Sequence, residues 1–386
     1  MRILYLSISY SLQKDSLYNN LVDSLLARGH SVTIVRCSKE NKLERVNKEY
    51  VILNVNTGNP FEKNYIKKGI NQVLLSHYFK KSIKKNLKNM EYDLVLYATP
   101  PITLYSVIKY CKKKYNSKTF LMLKDIFPQN AVDLELFSKY SLIYLYFRIK
   151  EKKYYQISDN IGCMSKGNID YLLENNHKIN KRKLCIFYNS IRTNNNKYTI
   201  FNKNKTIFIF GGNIGKPQNI MFLLEVIKKL RDYNKAYFKI IGKGTEANKV
   251  KNYQINNKLQ NFEYIEYLPV HEYEEEMQTA DIGIISLDHR FTIPNIPSKF
   301  QSYLRQKKPV LAITDKNTDL KQMIIDNDCG WWIEANDVEK IAYKIKSICE
   351  DKSEQVQKGE NGYKYFIKEF DVEKNVDILE NVVRGK

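Results

Sequence analysis

The chain alternates short, continuous apolar runs with longer segments in which apolar residues recur every three or four positions. The short runs are typical of buried strands, and the longer segments are typical of amphipathic helices. Regular alternation of the two predicts an α/β fold in which parallel sheets are covered by helices. The predicted strands are Ile3–Ile8, Ser31–Val35, Tyr50–Val55, Asp93–Tyr97, Thr119–Leu123, Asn160–Cys163 and Leu184–Phe187, and then Thr206–Phe210, Tyr237–Ile241, Phe262–Tyr267, Asp281–Leu287, Pro309–Ile313 and Gly330–Ile333.

These two series of strands indicate two Rossmann-like, doubly wound domains. The polar, Asn-rich stretch Arg192–Lys205 separates them and is typical of an interdomain linker. We predict a first domain over residues 1–191, a second over 192–365, and a C-terminal helix over 366–386 that packs back toward the first domain. Doubly wound sheets bind ligands at the carboxyl ends of their strands, so we expect the active site in a cleft where the two domains face each other.

The net charge of +21 is concentrated in the first half of the chain. Residues 1–190 hold 32 Lys and Arg against 15 Asp and Glu, whereas the remainder holds 31 against 27. Basic residues mix with aromatic and aliphatic ones in Lys63–Lys88, Lys109–Lys118 and Lys139–Lys153. This mixture favours binding to an anionic membrane surface. Nucleic acid would also attract it, although no nucleic-acid-binding motif is visible, and a lysine-rich solvated surface is the third interpretation.

Several classes of protein are disfavoured. The longest apolar runs, such as Ser141–Phe147, are too short to span a bilayer. The N-terminus enters a predicted strand directly, without the pattern of a secretion signal. The six cysteines have neither paired spacing nor a histidine at metal-ligand spacing. We therefore expect a cytoplasmic protein with reduced cysteines.

Two loops of the second domain are candidate phosphate sites. The first follows a predicted strand and contains Gly212, Asn213, Gly215 and Lys216, with Pro217 suited to a first helical turn. Glycines let the backbone approach a phosphate closely, and a helix N-terminus presents free N–H groups to it. The same pattern also occurs in turns that bind nothing.

The second loop contains Pro297, Ser298 and Lys299 before a predicted helix. Ser298 is expected to cap that helix, and a cation at a helix N-terminus opposes the helix dipole unless an anion lies nearby. The two loops, each with a lysine, could hold a diphosphate between them. Gly242 and Gly244 form a third glycine turn, suited either to a base or ribose or to a tight turn alone. Arg290 is a weaker candidate for the donor site.

In the first domain, Asp125 follows the predicted strand Thr119–Leu123. A carboxylate at a strand end could orient or deprotonate an acceptor hydroxyl, or contact the donor sugar, and it could equally be a turn residue. The triplet Asp326-Asn327-Asp328 could hold a divalent metal, but it precedes Cys329-Gly330 at a predicted helix end and is interpreted as a turn. We therefore expect neither a metal nor another cofactor.

Together these motifs resemble the family 4 retaining glycosyltransferases, which have the GT-B fold, over essentially the whole chain. Arg28-Gly29-His30-Ser31-Val32 resembles the family's Gly-His-x-Val turn. The loops at Gly212–Gln218, Asp125–Pro128 and Pro297–Lys299 are similar to the WbuB-like branch, N-acetylfucosamine transferases of O-antigen and capsule assembly.

The chain also departs from the family's pattern. Most members have two glutamates eight positions apart in the donor loop, where this chain has Pro294 and Ser302. The usual glycine-rich loop after the first strand is replaced by Ser9–Asp15. Neither the sugar-side contacts nor the acceptor contacts in that loop can therefore be transferred from the family.

The resemblance implies a metal-independent enzyme that moves a sugar from a UDP-sugar to a polyprenyl-diphosphate-linked acceptor at the cytoplasmic membrane face. It places the diphosphate near Gly212, Gly215, Lys216, Ser298 and Lys299, and Asn213, Gly242, Gly244, Arg290, Pro297 and Ser302 complete the candidate donor residues, with Asp125 on the acceptor side. Two alternatives stay open at this point: a UDP-sugar 2-epimerase of the same fold, and a basic nucleic-acid-binding protein.

Overall fold

A computed structural model describes residues 1–8, 10–11, 17–58, 65–193 and 204–385, and for residues 65–70, 72 and 73 it describes the backbone only. The chain forms two compact units. The first comprises Met1–Arg192 together with Val372–Lys386, and the second comprises Thr193–Asp371. Residues 366–371, placed in the C-terminal segment by the sequence, lie in the second unit, so the returning segment starts at Val372.

The first unit contains eight strands and six helices before the chain enters the second unit, over the described residues. They are β1 (Arg2–Ser7), α1 (Leu17–Ala27), β2 (Ser31–Ser38), β3 (Lys42–Arg45), β4 (Tyr50–Asn56), α2 (Tyr65–Asn86), β5 (Leu94–Thr99), α3 (Tyr105–Tyr115), β6 (Lys118–Leu123), α4 (Gln129–Asp133), α5 (Leu142–Ile157), β7 (Asn160–Cys163), α6 (Lys166–Asn175) and β8 (Leu184–Ile186).

The strands form one sheet in the order β3-β4-β2-β1-β5-β6-β7-β8. All neighbours pair in parallel except β3, which runs antiparallel to β4 at the sheet edge. The parallel strands place the ends of β5 and β6 side by side, with Thr99 paired to Leu123. Asp125 follows directly at that edge of the sheet.

The second unit contains β9 (Thr206–Gly211), α7 (Ile220–Lys229), β10 (Ala236–Ile241), α8 (Ala247–Asn257), β11 (Phe262–Ile265), α9 (Val270–Thr279), β12 (Ile282–Ser286), α10 (Lys299–Arg305), β13 (Val310–Thr314), α11 (Leu320–Asp326), β14 (Gly330–Glu334), α12 (Val338–Glu350) and α13 (Lys352–Glu369). Its six strands are all parallel, in the order β11-β10-β9-β12-β13-β14. Helix α7 buries Leu223, Leu224, Val226 and Ile227 in the core of this unit. The observed strands confirm the predicted α/β architecture.

The last helix, α14 (Val372–Arg384), belongs to the first unit. Val372, Val376 and Leu379 are at most 1% exposed and join the core formed by β1, β2 and β5. The Arg28-Gly29-His30 turn fixes the helix from outside. Arg28 pairs with acidic residues of α14, and His30 Nε2 lies 2.9 Å from Glu380 Oε1. In this chain the Gly-His turn therefore anchors the C-terminal helix.

Among the helices that the structure describes, none combines the length and the apolarity that crossing a bilayer would require. The six cysteines are free thiols. Four are buried, whereas Cys37 and Cys185 are only partly buried.

Candidate functional site

The candidate site of the second unit is built from loops at the carboxyl ends of β9, β10 and β12, which are neighbours in the sheet. The loops after β9 and β10 are joined by their backbones. Gly212 N donates to Ile241 O at 2.9 Å, Ile214 N donates to Lys243 O at 3.0 Å, and Glu246 N donates to Ile214 O at 3.0 Å. The two glycine turns therefore form one continuous backbone surface.

Glycine is required where these loops meet. A Cβ atom on Gly242 would overlap the carbonyl oxygen of Gly212, and one on Gly244 would overlap the carbonyl oxygen of Ile214. Gly212 has φ of +121°, a conformation that residues with side chains rarely adopt. The structure thus gives Gly242 and Gly244 a packing role between two loops. Their predicted contact with the donor stays a prediction.

The end of the first loop is ordered by Gln218. Its Oε1 accepts from Gly215 N and from Asn213 Nδ2, both at 3.1 Å. A short 3₁₀ turn over Lys216–Gln218 leads into α7. Lys216 is exposed to solvent at the start of this turn. Its ammonium can therefore move toward a ligand at the loop.

Lys299 lies beside the same loop. Its Nζ is 3.6 Å from the centroid of the Phe210 ring and would be 3.8 Å from a Cβ built on Gly212. Burial lowers the pKa of this lysine to about 7. Within the described residues, no carboxylate lies within ion-pair distance of it. An aromatic face is a weak partner for a cation, so an anion placed at Gly212 would supply the missing charge.

The helix that carries Lys299 differs from the prediction in one respect. Ser298 occupies the N-cap position, but its side chain makes no capping hydrogen bond. The expectation that it caps the helix is wrong, because Ser298 itself has helical dihedrals, whereas a capping residue is typically extended. Pro297 instead accepts at its carbonyl from Phe300 N at 3.0 Å. Ser302 Oγ donates to Ser298 O at 3.3 Å.

Two tyrosines beneath the loop were not predicted, the buried Tyr303 and the partly buried Tyr273. Tyr303 Oη accepts from Gly211 N and donates to Ile209 O, both at 3.2 Å. Tyr273 packs where a side chain on Gly211 would lie. Tyr303 follows Lys299 by four residues and so shares its helix face, which is the signal that could have indicated it. These rings support the end of β9 from below.

Arg290 is held by Asp288. Its Nε and Nη2 lie 3.0 and 2.8 Å from the two oxygens of that carboxylate, and its N–H also donates to Oδ1 at 3.0 Å. Burial raises the pKa of Asp288, but the hydrogen bonds and charge of Arg290 outweigh burial and hold the pKa below its ordinary value. Asp288 N donates to Pro217 O at 2.9 Å, which links this loop to the first. The predicted role of Arg290 in donor binding would require the guanidinium to reach a ligand from this position.

We expect Asp288→Asn to lower the free energy of unfolding of the second unit by about 1–3 kcal/mol at neutral pH, because a buried charged hydrogen-bond pair is lost. The native pKa is lowered, so the carboxylate's contribution is complete above its ordinary pKa and is lost as pH falls through the native pKa. Urea unfolding should therefore show the two proteins converging in acid. A difference that is constant with pH would contradict this account. Arg231→Ala, which removes a largely exposed pair with Asp232, is the control.

Asp125 lies in the first unit at the end of β6. Burial raises the pKa of its carboxyl to about 6. Thr99 Oγ1 donates to the Asp125 carbonyl at 3.0 Å and accepts from Lys124 N at 3.1 Å. A carboxyl that titrates near neutral pH is suited to general acid or base work, although structural burial alone also produces such a shift.

Lys124 immediately precedes Asp125 at the end of β6. Its Nζ lies 5.3 Å from the Phe187 ring, and burial lowers its pKa to about 7. It lines a small pocket together with Tyr18, Asn189 and Asn375. Sequence reasoning did not single out Lys124. Of the predicted loop Ser9–Asp15, only Tyr10 and Ser11 are among the described residues.

The Asp326 triplet closes a helix. Asp326 is the last residue of α11 and accepts from Gln322, while Asp328 has φ of +44° and pairs with Lys358. Over the described parts of the chain, no group of three or more His, Cys, Asp or Glu side chains could hold a metal ion. The prediction of a metal-independent enzyme awaits a direct test.

The loops just described fall within a recognised sequence family. Residues 191–365 match the family of glycosyl transferases group 1. This region is a group 1 glycosyltransferase domain. The predicted enzyme class, a glycosyltransferase, is thereby confirmed. Assignment to family 4 and to the WbuB-like branch stays a prediction.

Known proteins similar to this glycosyltransferase extend beyond that domain. Probable glycosyltransferase WbjE of Pseudomonas aeruginosa is 24% identical over 296 residues, which is 74% of this chain and 72% of the relative. WaaG, a glycosyltransferase involved in lipopolysaccharide biosynthesis, is 12% identical and superimposes with a TM-score of 0.69 over 100% of both chains. HepE of Anabaena, solved with UDP-glucose, is 12% identical with a TM-score of 0.68 over 99% of both chains. These likenesses confirm the predicted GT-B fold class.

Proposed function

We propose that this glycosyltransferase is a retaining, metal-independent enzyme that moves a sugar from a UDP-sugar to a polyprenyl-diphosphate-linked acceptor. The sugar would be an N-acetylated amino sugar such as N-acetylfucosamine, and the product an O-antigen or capsule precursor. The observation that carries the donor assignment is the Lys299 ammonium, which lies beside the Gly212 loop without an anionic partner among the described residues. A diphosphate would provide that partner.

The related proteins support the same donor and pathway classes. HepE is named in complex with UDP-glucose, and WaaG is named for lipopolysaccharide biosynthesis. In this chain Lys299 and Lys216 would be the countercharges of the diphosphate, beside loops whose Gly212, Ile214 and Gly215 N–H groups already donate within the protein. Such an arrangement stabilises charge that develops on the leaving group, which is often the largest contribution to transfer catalysis.

In the proposed reaction, the bond between the sugar's anomeric carbon and the diphosphate oxygen breaks while the acceptor oxygen bonds to the same face of that carbon. The departing phosphate oxygen takes the proton of the acceptor hydroxyl. Lys299 would neutralise part of the charge that accumulates on the diphosphate. Asp125 would orient the acceptor hydroxyl. The protein supplies electrostatic stabilisation and positioning, and no covalent intermediate with a protein side chain is needed.

The experiment that tests this function is incubation of the full chain with a panel of UDP-sugars and a polyprenyl diphosphate-linked saccharide, followed by mass spectrometry. We expect one UDP-sugar to add a single sugar residue to the lipid. A parallel incubation with UDP-sugar alone should leave the sugar unchanged. Epimerisation in that second arm, without transfer in the first, would overturn the proposal.

We expect full transfer activity in EDTA. The proposed stabilisation of the diphosphate comes from lysine ammonium groups, which a chelator does not remove. The measurement compares initial rates in EDTA with rates after addition of Mg²⁺ or Mn²⁺. Loss of activity in EDTA that either ion restores would show that a metal is required.

The first unit would bring the active site to the membrane. Its charge, with 32 basic against 15 acidic residues over residues 1–190, favours the anionic inner face of a plasma membrane. Such a peripheral position would give the enzyme access to both an aqueous nucleotide sugar and a lipid-linked acceptor. Nucleic acid has no part in this proposal.

A further inference from the structure

A row of large apolar side chains is exposed along helix α5 and just before it. Tyr140 is 96% exposed, Leu142 84%, Leu145 55%, Ile149 47% and Tyr146 39%. Single exposed apolar residues are ordinary on protein surfaces, whereas a contiguous set is typical of an interaction surface. We call these five residues the α5 ridge.

Helical geometry places most of the α5 ridge on one face. Leu142, Leu145, Tyr146 and Ile149 are spaced as i, i+3, i+4 and i+7, so their side chains follow one stripe of the helix. Tyr140 lies in the turn two residues before the helix start. The positions of these four side chains are therefore fixed by the regular geometry of the helix.

The opposite face fixes the helix to the first unit. Tyr154 Oη accepts from Leu104 N at 2.8 Å, and Arg148 Nη2 donates to Asn175 O and Asn176 Oδ1 at 2.7 and 2.8 Å. Glu151 is 3% exposed and pairs with Arg148 within the helix. Turning the helix to bury the ridge would break the contacts of Tyr154 and Arg148 with the rest of the unit. The ridge stays on the outside unless something else covers it.

The surroundings of the ridge are basic. Lys139, Lys152 and Lys153 are exposed, and the Lys150 ammonium lies 5.2 Å from the centre of the Tyr146 ring. Between residues 136 and 157, the only carboxylate in the sequence is that of Glu151, which is already buried and paired. Over residues 136–157, exposed apolar side chains flanked by cations match the chemistry of an anionic lipid interface, and the exposed Glu135 lies just before this segment.

We propose that the α5 ridge inserts into the interface of an anionic bilayer, with α5 lying in the plane of the membrane and its lysines on the lipid headgroups. The inference rests on the proposed function, because a lipid-linked acceptor lies in such a bilayer. It identifies the α5 ridge as the surface that contacts this bilayer. Pairing with a second copy of the chain is disfavoured. If the ridges of two copies packed together, the lysines around them would face each other. Residues 136–157 have no exposed carboxylate that could lie between those lysines.

Sedimentation of the full chain with phosphatidylcholine vesicles, with and without phosphatidylglycerol, tests this assignment without any sugar substrate. We expect Leu142→Ser/Leu145→Ser to lower binding to the anionic vesicles at least about tenfold, because two apolar side chains no longer enter the interface. The matched control is Ile255→Ser/Ile325→Ser. Those residues are 59% and 58% exposed on helices of the second unit, and the control should bind as the wild type does.

Replacing Lys150, Lys152 and Lys153 by glutamine should weaken binding at low salt, and wild-type binding should fall as salt rises. Equal binding by the ridge variant and the wild type would overturn the inference. A wild-type dimer in sedimentation velocity that is lost in the ridge variant alone would also overturn the inference, since the ridge would then contact another copy of the chain. Vesicle binding that persists when no transfer to a lipid-linked acceptor is found would contradict the proposed function and leave the ridge assignment standing.

Discussion

Lys299→Ala lowers kcat/KM for the UDP-sugar at least about tenfold, because a countercharge to a diphosphate is typically worth more than about 1.4 kcal/mol in the transition state. The expectation follows from the position of the ammonium. It lies beside Gly212 and over the Phe210 ring, and no carboxylate among the described residues pairs with it. Initial rates at several donor concentrations measure the effect.

Lys321→Ala is the matched control for Lys299→Ala. The Lys321 ammonium also lies over an aromatic ring of the second unit, 4.6 Å from the centre of Trp332, but on a helix that carries none of the candidate donor residues. We expect it to keep wild-type kinetics. If both variants lose activity equally, or if Lys299→Ala keeps the wild-type rate, the donor-site assignment is wrong.

The pH profile provides a second readout for Lys299. Burial lowers its pKa to about 7 in the free protein, so the ammonium form is lost as pH rises through about 7. A bound diphosphate favours the charged form and raises that pKa. Since kcat/KM reports the free enzyme, it should fall above about pH 7, whereas kcat should hold to higher pH. Lys299→Ala should remove this difference between the two profiles.

The strands of both units could be predicted because parallel strands buried on both faces are almost continuously apolar. Ile3–Leu6 and Phe208–Phe210 are fully buried examples. Strand β3 was missed because its sequence, Lys42-Leu43-Glu44-Arg45, is polar and lies at the sheet edge. None of its four side chains is fully buried, so the sequence has no run of core residues there.

The candidate site was predictable at the level of loops and less so at the level of contacts. Glycine turns after strands marked the loops at Gly212 and Gly242, but the sequence does not state the strand order that makes β9 and β10 neighbours. Asp288 was missed although its partner Arg290 lies only two residues away. The bond from Gly211 N to Tyr303 Oη spans 92 residues, so that partner could not be derived from the local sequence.

The Arg28-Gly29-His30 turn was visible in the sequence, but its structural role was not. Arg28 and His30 matched a family motif, and the structure explains them through Glu373, Asp377 and Glu380 of α14. The motif lies about 350 residues from its partners in sequence, so its role could not be derived from spacing. It holds the chain's last helix on the first unit, where Val376 and Leu379 are fully buried.

Gly244→Ala should lower donor kcat/KM at least about tenfold and destabilise the second unit by about 1–3 kcal/mol, as overpacking typically does. A Cβ at this position overlaps the carbonyl oxygen of Ile214, which is backbone and can give way only if the loop after β9 moves. That movement would also break the bonds from Ile214 N to Lys243 O and from Glu246 N to Ile214 O. Urea unfolding and donor kinetics measure the two effects.

Gly215→Ala is the control for Gly244→Ala. It adds a Cβ atom in the same site, but this atom meets side chains and not the backbone of another loop. Its Cβ would meet side-chain atoms of Asn213, Gln218 and Pro217 at 3.1, 3.4 and 3.5 Å, and the first two of these side chains can adjust. We therefore expect a clearly smaller loss of stability than in Gly244→Ala. Equal losses in the two variants would mean that the close approach of the two glycine loops does not set the geometry of the site. The contact between the loops after β9 and β10 would then have to be treated as incidental to donor binding.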